Sequence, residues 1–156
     1  MPRTGSYYQV LGASLPGWVQ GQAFPVGADV PCPAVSTTSI LNIGFVPFDE
    51  GVYICEFDGA AHIVIGATAP TSLTWTITNP PFAGQTVQNQ VVPAGLLVAN
   101  AVIMFPVNVG VRQPNVVNPT KATINFTIAV TTVGAGGTAT IKAGSTFSLT
   151  AGKEQD

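Results

Sequence analysis

The chain has 156 residues, a mass of 16.0 kDa, a formal net charge of -2 and a pI near 5.1. That length fits one domain with a real core, about 68–70% of the unfolded surface leaving water on folding. Charged residues make up only 8%, and the five cations, Arg3, Arg112, Lys121, Lys142 and Lys153, form no run, which argues against nucleic acid as a partner because phosphate neutralisation needs clustered positive charge.

The missing charge is replaced by Thr, Asn, Gln, Ser, Gly and Pro, residues that favour strands and turns and make poor helices. Two readings of such a neutral surface stand side by side. It faces a partner, or it is the Thr- and Asn-covered surface of a soluble β-domain.

Residues 1–35 are broken repeatedly by Pro2, Pro16, Pro25, Pro31 and Pro33 and by Gly5, Gly12, Gly17, Gly21 and Gly27. The first residues contain no apolar stretch of the kind that opens a secretion signal. Four large aromatics lie in this segment: Tyr7, Tyr8, Trp18 and Phe24. A disordered tail lacks such residues. They are therefore candidate anchors of an ordered arm on another surface, or else they fold back on their own domain. This divides the chain into an extended arm, residues 1–35, and a β-sandwich body, residues 36–156.

From Ile40 onward a three-stranded meander can be read, with strands at residues 40–46, 52–57 and 62–65. Phe48, Asp49, Glu50 and Gly51 form the first expected turn. Asp58 and Gly59 form the second, as a tight hairpin that places Cys55 opposite His62. Residues 73–78 alternate cleanly, with Leu73, Trp75 and Ile77 inward and the threonines outward.

Residues 86–92 and 96–105 are the next expected strands, with Pro93, Ala94 and Gly95 at the corner and a continuation through residues 107–111 beyond Pro106. The run 96–105 is almost wholly apolar, but Pro93, Asn100 and Pro106 interrupt or bound it. It falls short of the ~20 apolar residues of a membrane helix, so buried strands are expected and no membrane.

Residues 123–133 give the clearest strand, with Ile124, Phe126, Ile128 and Val130 on one face. After a turn at Gly134, Ala135, Gly136 and Gly137, residues 138–142 and 146–150 are expected to form a second meander. About eight short strands and no sustained 3.6-residue period predict an all-β fold, an antiparallel jelly-roll-like sandwich or barrel.

Chemistry-bearing residues are few. A Cys–His or Ser–His–Asp arrangement would have to use the single histidine, His62. Asp49, Glu50, Glu56 and Asp58 gather nearby, either as a cation or acid–base site or as an acidic patch with aspartates in turns. Their spacing matches no metal motif. Cys32 and Cys55 match neither a zinc knuckle nor a redox pair. They pair only if the fold brings them close, and otherwise stand as two buried thiols. No catalytic residue, cofactor or metal site is assigned.

The charge-poor, Thr- and Val-rich body behind an arm bearing Tyr7, Tyr8, Trp18 and Phe24 resembles the capsid decoration proteins of tailed bacteriophages, also called auxiliary or cement proteins. It is most similar in character to the trimeric auxiliary capsid proteins of long-tailed Thermus phages. The resemblance implies a homotrimer made in the host cytoplasm. It also implies binding on the outer surface of the virion, across seams between major capsid subunits, with no enzyme activity and no cofactor. It further implies heat stability, which in a chain so poor in Lys and Glu would rest on interfaces and oligomerisation rather than ion-pair networks. The competing expectation is a carbohydrate-binding or receptor-binding β-domain, with Trp18 or Trp75 stacking on sugar rings. A hydrolase using the acidic cluster around Asp49 to His62 ranks third.

Overall fold

A computed structural model describes residues 18–45, 51–78, 85–116 and 124–153. Among the described residues eleven strands run in the order β1 (Trp18–Pro25), β2 (Val30–Cys32), β3 (Ser36–Phe45), β4 (Gly51–Ile65), β5 (Ser72–Thr78), β6 (Thr86–Val87), β7 (Gln90–Val91), β8 (Val102–Val116), β9 (Ile124–Val133), β10 (Ala139–Ile141) and β11 (Thr146–Lys153). A short 3-10 turn at Ala94–Leu96 stands between β7 and β8.

The first correction concerns the arm. Trp18–Pro25 pairs antiparallel with β11, and Val30–Cys32 pairs with β10. Residues 18–32 therefore belong to the sheet rather than to an irregular arm ending at residue 35. Their prolines are tolerated because they fall on a sheet edge or at strand ends: Pro25 closes β1, and Pro31 lies on β2, the last strand of its sheet. Tyr7, Tyr8 and the expected turn at Asp49 and Glu50 lie outside the described residues.

The second correction is β4. Asp58 and Gly59 make no hairpin; one strand runs through them from Gly51 to Ile65. The reason is the binary pattern. Tyr53, Cys55, Phe57, Ala61, Ile63 and Ile65 are all buried, so the two-residue period continues across the Asp-Gly pair. Gly59 is there for close packing. A Cβ at Gly59 would lie 2.2 Å from the Thr146 carbonyl oxygen and 2.7 Å from Phe147 Cδ1.

The third correction is the last meander. β10 and β11 do not pair with each other. Both lie along the same edge of β4, β10 against Ile63–Ile65 and β11 against Tyr53–Ala60. They are one strand interrupted by a four-residue bulge at residues 142–145. His62 holds that bulge with its backbone, accepting from Lys142 N at 2.8 Å and donating to Ser145 Oγ at 2.9 Å. β1 and β2 are interrupted at the matching level, where Val26 exchanges hydrogen bonds with Ser145 O and Gly144 N. Asp29 fastens the bulge from outside, accepting from Ala143 N at 2.9 Å and pairing with Lys142 Nζ. The Ala143 amide first, then Lys142, holds the Asp29 carboxyl below its ordinary 3.8.

Merging the interrupted strands (β1 with β2, β6 with β7, β10 with β11) leaves eight. In chain order their sheets read first, eighth, third, sixth and second, seventh, fourth, fifth. The first four strands pair with the last four in reverse, as a long hairpin rolled on itself. That connectivity is the jelly roll, and the expected fold class holds.

The core fills the space between the sheets. Phe57 of β4 meets Phe126 of β9 edge to face, with centroids 5.7 Å apart, and Trp75 of β5 packs on Phe147 of β11 at 5.4 Å. Such residues each contribute about 1.5–3 kcal/mol by burial. Leu73, Trp75 and Ile77 point inward as the alternation predicts, and so do Phe126, Ile128 and Val130. The buried Thr132 hydroxyl, the polar exception among them, donates to Pro33 O.

Candidate functional site: the outer face of β4 and β8

Odd-numbered residues of β4 and β8 enter the core, so the even-numbered ones form the outer face. The register places Ile54 beside Arg112, Glu56 beside Gly110, Asp58 beside Asn108, Ala60 beside Pro106, His62 beside Met104 and Val64 beside Val102. One half of this face is polar. Asn108 Nδ2 donates to the Asp58 carboxylate across the two strands. The other half is apolar and open, with Met104 at 64% and Val102 at 66% of full exposure.

The expected strand at residues 96–105 is corrected here on two counts. Its first part is the 3-10 turn and a loop, because Pro93 fixes the corner and Asn100 turns the chain at φ 61°. In the remainder only Ile103 and Phe105 are buried, while Val102 and Met104 face outward. An apolar run cannot by its composition separate burial on both faces from one face left open.

The expected strand at residues 86–92 is also divided. Thr86 and Val87 pair with Arg112 and Val111 of one sheet, while Gln90 and Val91 pair with Trp75 and Thr74 of the other. The segment thus crosses between sheets along the β8 edge. Gln88 N donates to Gly110 O at 2.8 Å. The Gln90 side chain then stands in for a neighbouring strand, donating to Pro106 O at 3.1 Å and accepting from Asn108 N at 2.6 Å.

Where Gly110 lacks a side chain, a shallow open cleft of about 320 Å³ lies among Ile54, Glu56, Thr86, Gln88 and Arg112. A Cβ at Gly110 would come 3.1 Å from Gln88 Oε1, so the glycine makes room for that amide.

Among the described residues, those singled out from sequence are not assembled into a catalytic constellation. Cys55 points to the core and His62 to the outer face of the same strand. Their seven-residue separation spans about 23 Å. Glu56 and His62 share the outer face but stand about 20 Å apart along it. Cys32 and Cys55 are both buried and free, and do not form a disulfide. Burial raises the Cys55 thiol from 9.0 to about 12 and the Cys32 thiol to about 11. Among the described residues, no group of three or more His, Cys, Asp or Glu is placed to hold a metal. Of the four aromatics of the arm, the backbones of Trp18 and Phe24 pair with Gly152 and Phe147 in β1.

The opposite outer face, on β3, β9 and β5, is a neutral array of hydroxyls and amides. Thr37 and Thr131 share a hydrogen bond at 2.8 Å, and Thr127 Oγ1 donates to Asn42 Oδ1 at 2.7 Å. Trp75 lies beneath this sheet, fully buried, and offers no stacking platform for a sugar.

No family model and no curated protein matches the chain. Twelve chains of solved structures are similar to it. One is the crystal structure of the infectious bursal disease virus VP2 subviral particle, at 11% identity and a TM-score of 0.35, covering 85% of this chain and 40% of that one. This chain therefore spans less than half of that chain's length. The jelly-roll assignment rests on this chain's own strand order.

Proposed function

We propose that the chain is a structural virion protein that decorates and reinforces the outside of a phage capsid as a homotrimer, bridging neighbouring major capsid subunits. The observation that carries this reading is the charge-poor outer surface of the jelly roll, above all the open apolar half of the β4–β8 face at Val64, Val102 and Met104. A protein with so few charges gains little from ionic steering. It associates through neutral contacts multiplied by valency, which suits a repeating shell. The resemblance to auxiliary capsid proteins supports the same reading and supplies its finer parts: the trimer, the outer position and the heat stability. On this account the chain catalyses nothing and uses neither cofactor, nucleic acid nor membrane. It is made in the host cytoplasm and works on the virion.

The test is co-sedimentation with expanded empty heads of its own virion purified without it. Saturable binding at a fixed ratio to the major capsid protein is expected. Absence of binding to any shell would remove the reading.

A second reading, a glycan- or receptor-binding β-domain, is favoured by the cleft over Gly110, where Glu56, Thr86, Gln88 and Arg112 offer polar groups. A glycan array without hits would dismiss it.

A further inference from the structure

The outer side of β8 is a sheet edge that is only partly covered. Gln88 N reaches Gly110 O, and the Gln90 amide reaches Pro106 O and Asn108 N. The even-numbered residues of β8 therefore turn their backbone groups toward this edge. Two residues further on come Met104 and Val102, and among the described residues β8 has strand partners only in β4 and, at residues 111–112, in β6. Among the described residues nothing pairs with the edge groups of Met104 and Val102. Their side chains are the exposed apolar ones. An open edge flanked by exposed apolar residues is a template for one more strand.

We propose that residues 7–11 of a second copy of this chain add as a strand to the β8 edge at Val102 and Met104. This rests on the assembly reading above and names the contact that would make it. Tyr7, Tyr8, Gln9, Val10 and Leu11 combine β-favouring side chains with no charge, and no proline lies between Pro2 and Pro16. The edge is equally free of charge, since the only ionisable side chain from residue 59 to residue 111 is His62.

Length decides between the chain's own segment and a neighbour's. Trp18 is level with Arg112 across the sheet, through Gly152 and Ile54. Met104 lies eight residues farther along β8, about 26 Å, and the open edge is four strand spacings away, about 19 Å, so the path is about 32 Å. The seven residues from Leu11 to Trp18 span at most about 25 Å even when fully extended. The set cannot lie on its own edge, whereas a neighbouring copy has no such limit. Donation from copy to copy is head-to-tail, the arrangement that closes into a ring where the rotation between copies permits it.

The test co-expresses two single variants, Val10→Cys and Met104→Cys, and treats the purified full-length protein with a short bismaleimide. Cys32 and Cys55 are buried and give no background. A covalent dimer that forms only when both variants are present is the expected result. A crosslink confined to one chain in the doubly substituted protein would overturn the proposal. So would a multimer in sedimentation that yields no crosslink, and in that case the homotrimer reading survives. A strictly monomeric chain would overturn both.

Met104→Pro provides the independent arm. Among the described residues its edge N–H serves no bond, and Pro106 already occupies the same edge. The strand content of the circular dichroism spectrum should be unchanged and association at least tenfold weaker; unaltered association would overturn the proposal.

Discussion

Cys55 and His62 stand on opposite faces of one strand, seven residues apart, Cys55 in the core against Ala151 and His62 on the outer face beside Met104. A hairpin at Asp58 and Gly59 would have set them against each other. The continuous strand separates them by about 23 Å. Neither residue activates the other.

The thiols follow from this. With values raised to about 12 for Cys55 and about 11 for Cys32, both remain protonated at neutral pH. A thiol reagent at pH 8 should find no reactive cysteine in the native chain and two after unfolding. Because the folded-state values exceed the ordinary 9.0, the unfolded chain loses these protons first. Stability should be full below pH 9 and fall as pH rises toward 11 and 12, measured by urea midpoints across that range. A cysteine that reacts rapidly at pH 8 in the native state would contradict the burial.

Gly59 is a point of close approach between β4 and β11. Gly59→Ala should destabilise the chain by about 1–3 kcal/mol, because the new methyl can be relieved only by shifting backbone at Thr146. Gly95→Ala, with nothing within 4 Å of the added atom, should stay within about 0.5 kcal/mol. Equilibrium denaturation of the pair makes the comparison. Equal effects would show that close packing is not what Gly59 provides.

The junction between the sheets can be probed at Phe57 and Phe126. Each Phe→Ala change should cost about 3–5 kcal/mol. A double-mutant cycle should return a coupling of about 0.5–1.5 kcal/mol for the edge-to-face contact. Strict additivity would mean that the two rings do not meet as described.

Much of the fold was legible because period two is a direct imprint of a half-buried sheet. Leu73, Trp75 and Ile77, like Phe126, Ile128 and Val130, face inward as their alternation indicates. The departures share a cause: an alternation that runs through a local turn signal outweighs it. Asp58-Gly59 reads as a hairpin only if the buried series from Tyr53 to Ile65 is ignored. Glycines and prolines likewise suggested that residues 18–32 were irregular, although two of the sheet's strands lie there.

The candidate surface was hidden for a different reason. Val102 and Met104 belong to an apolar run whose two faces cannot be told apart until their partners are known. The open edge of β8 depends on where β6 and β7 cross between sheets, a tertiary event with no local signature.

The most direct test of the central claim is the mass of the full-length chain in solution by sedimentation equilibrium. A homotrimer of about 48 kDa, three times the 16.0 kDa chain, is expected to hold together as concentration falls through the micromolar range. A single species of 16.0 kDa at every concentration would contradict it.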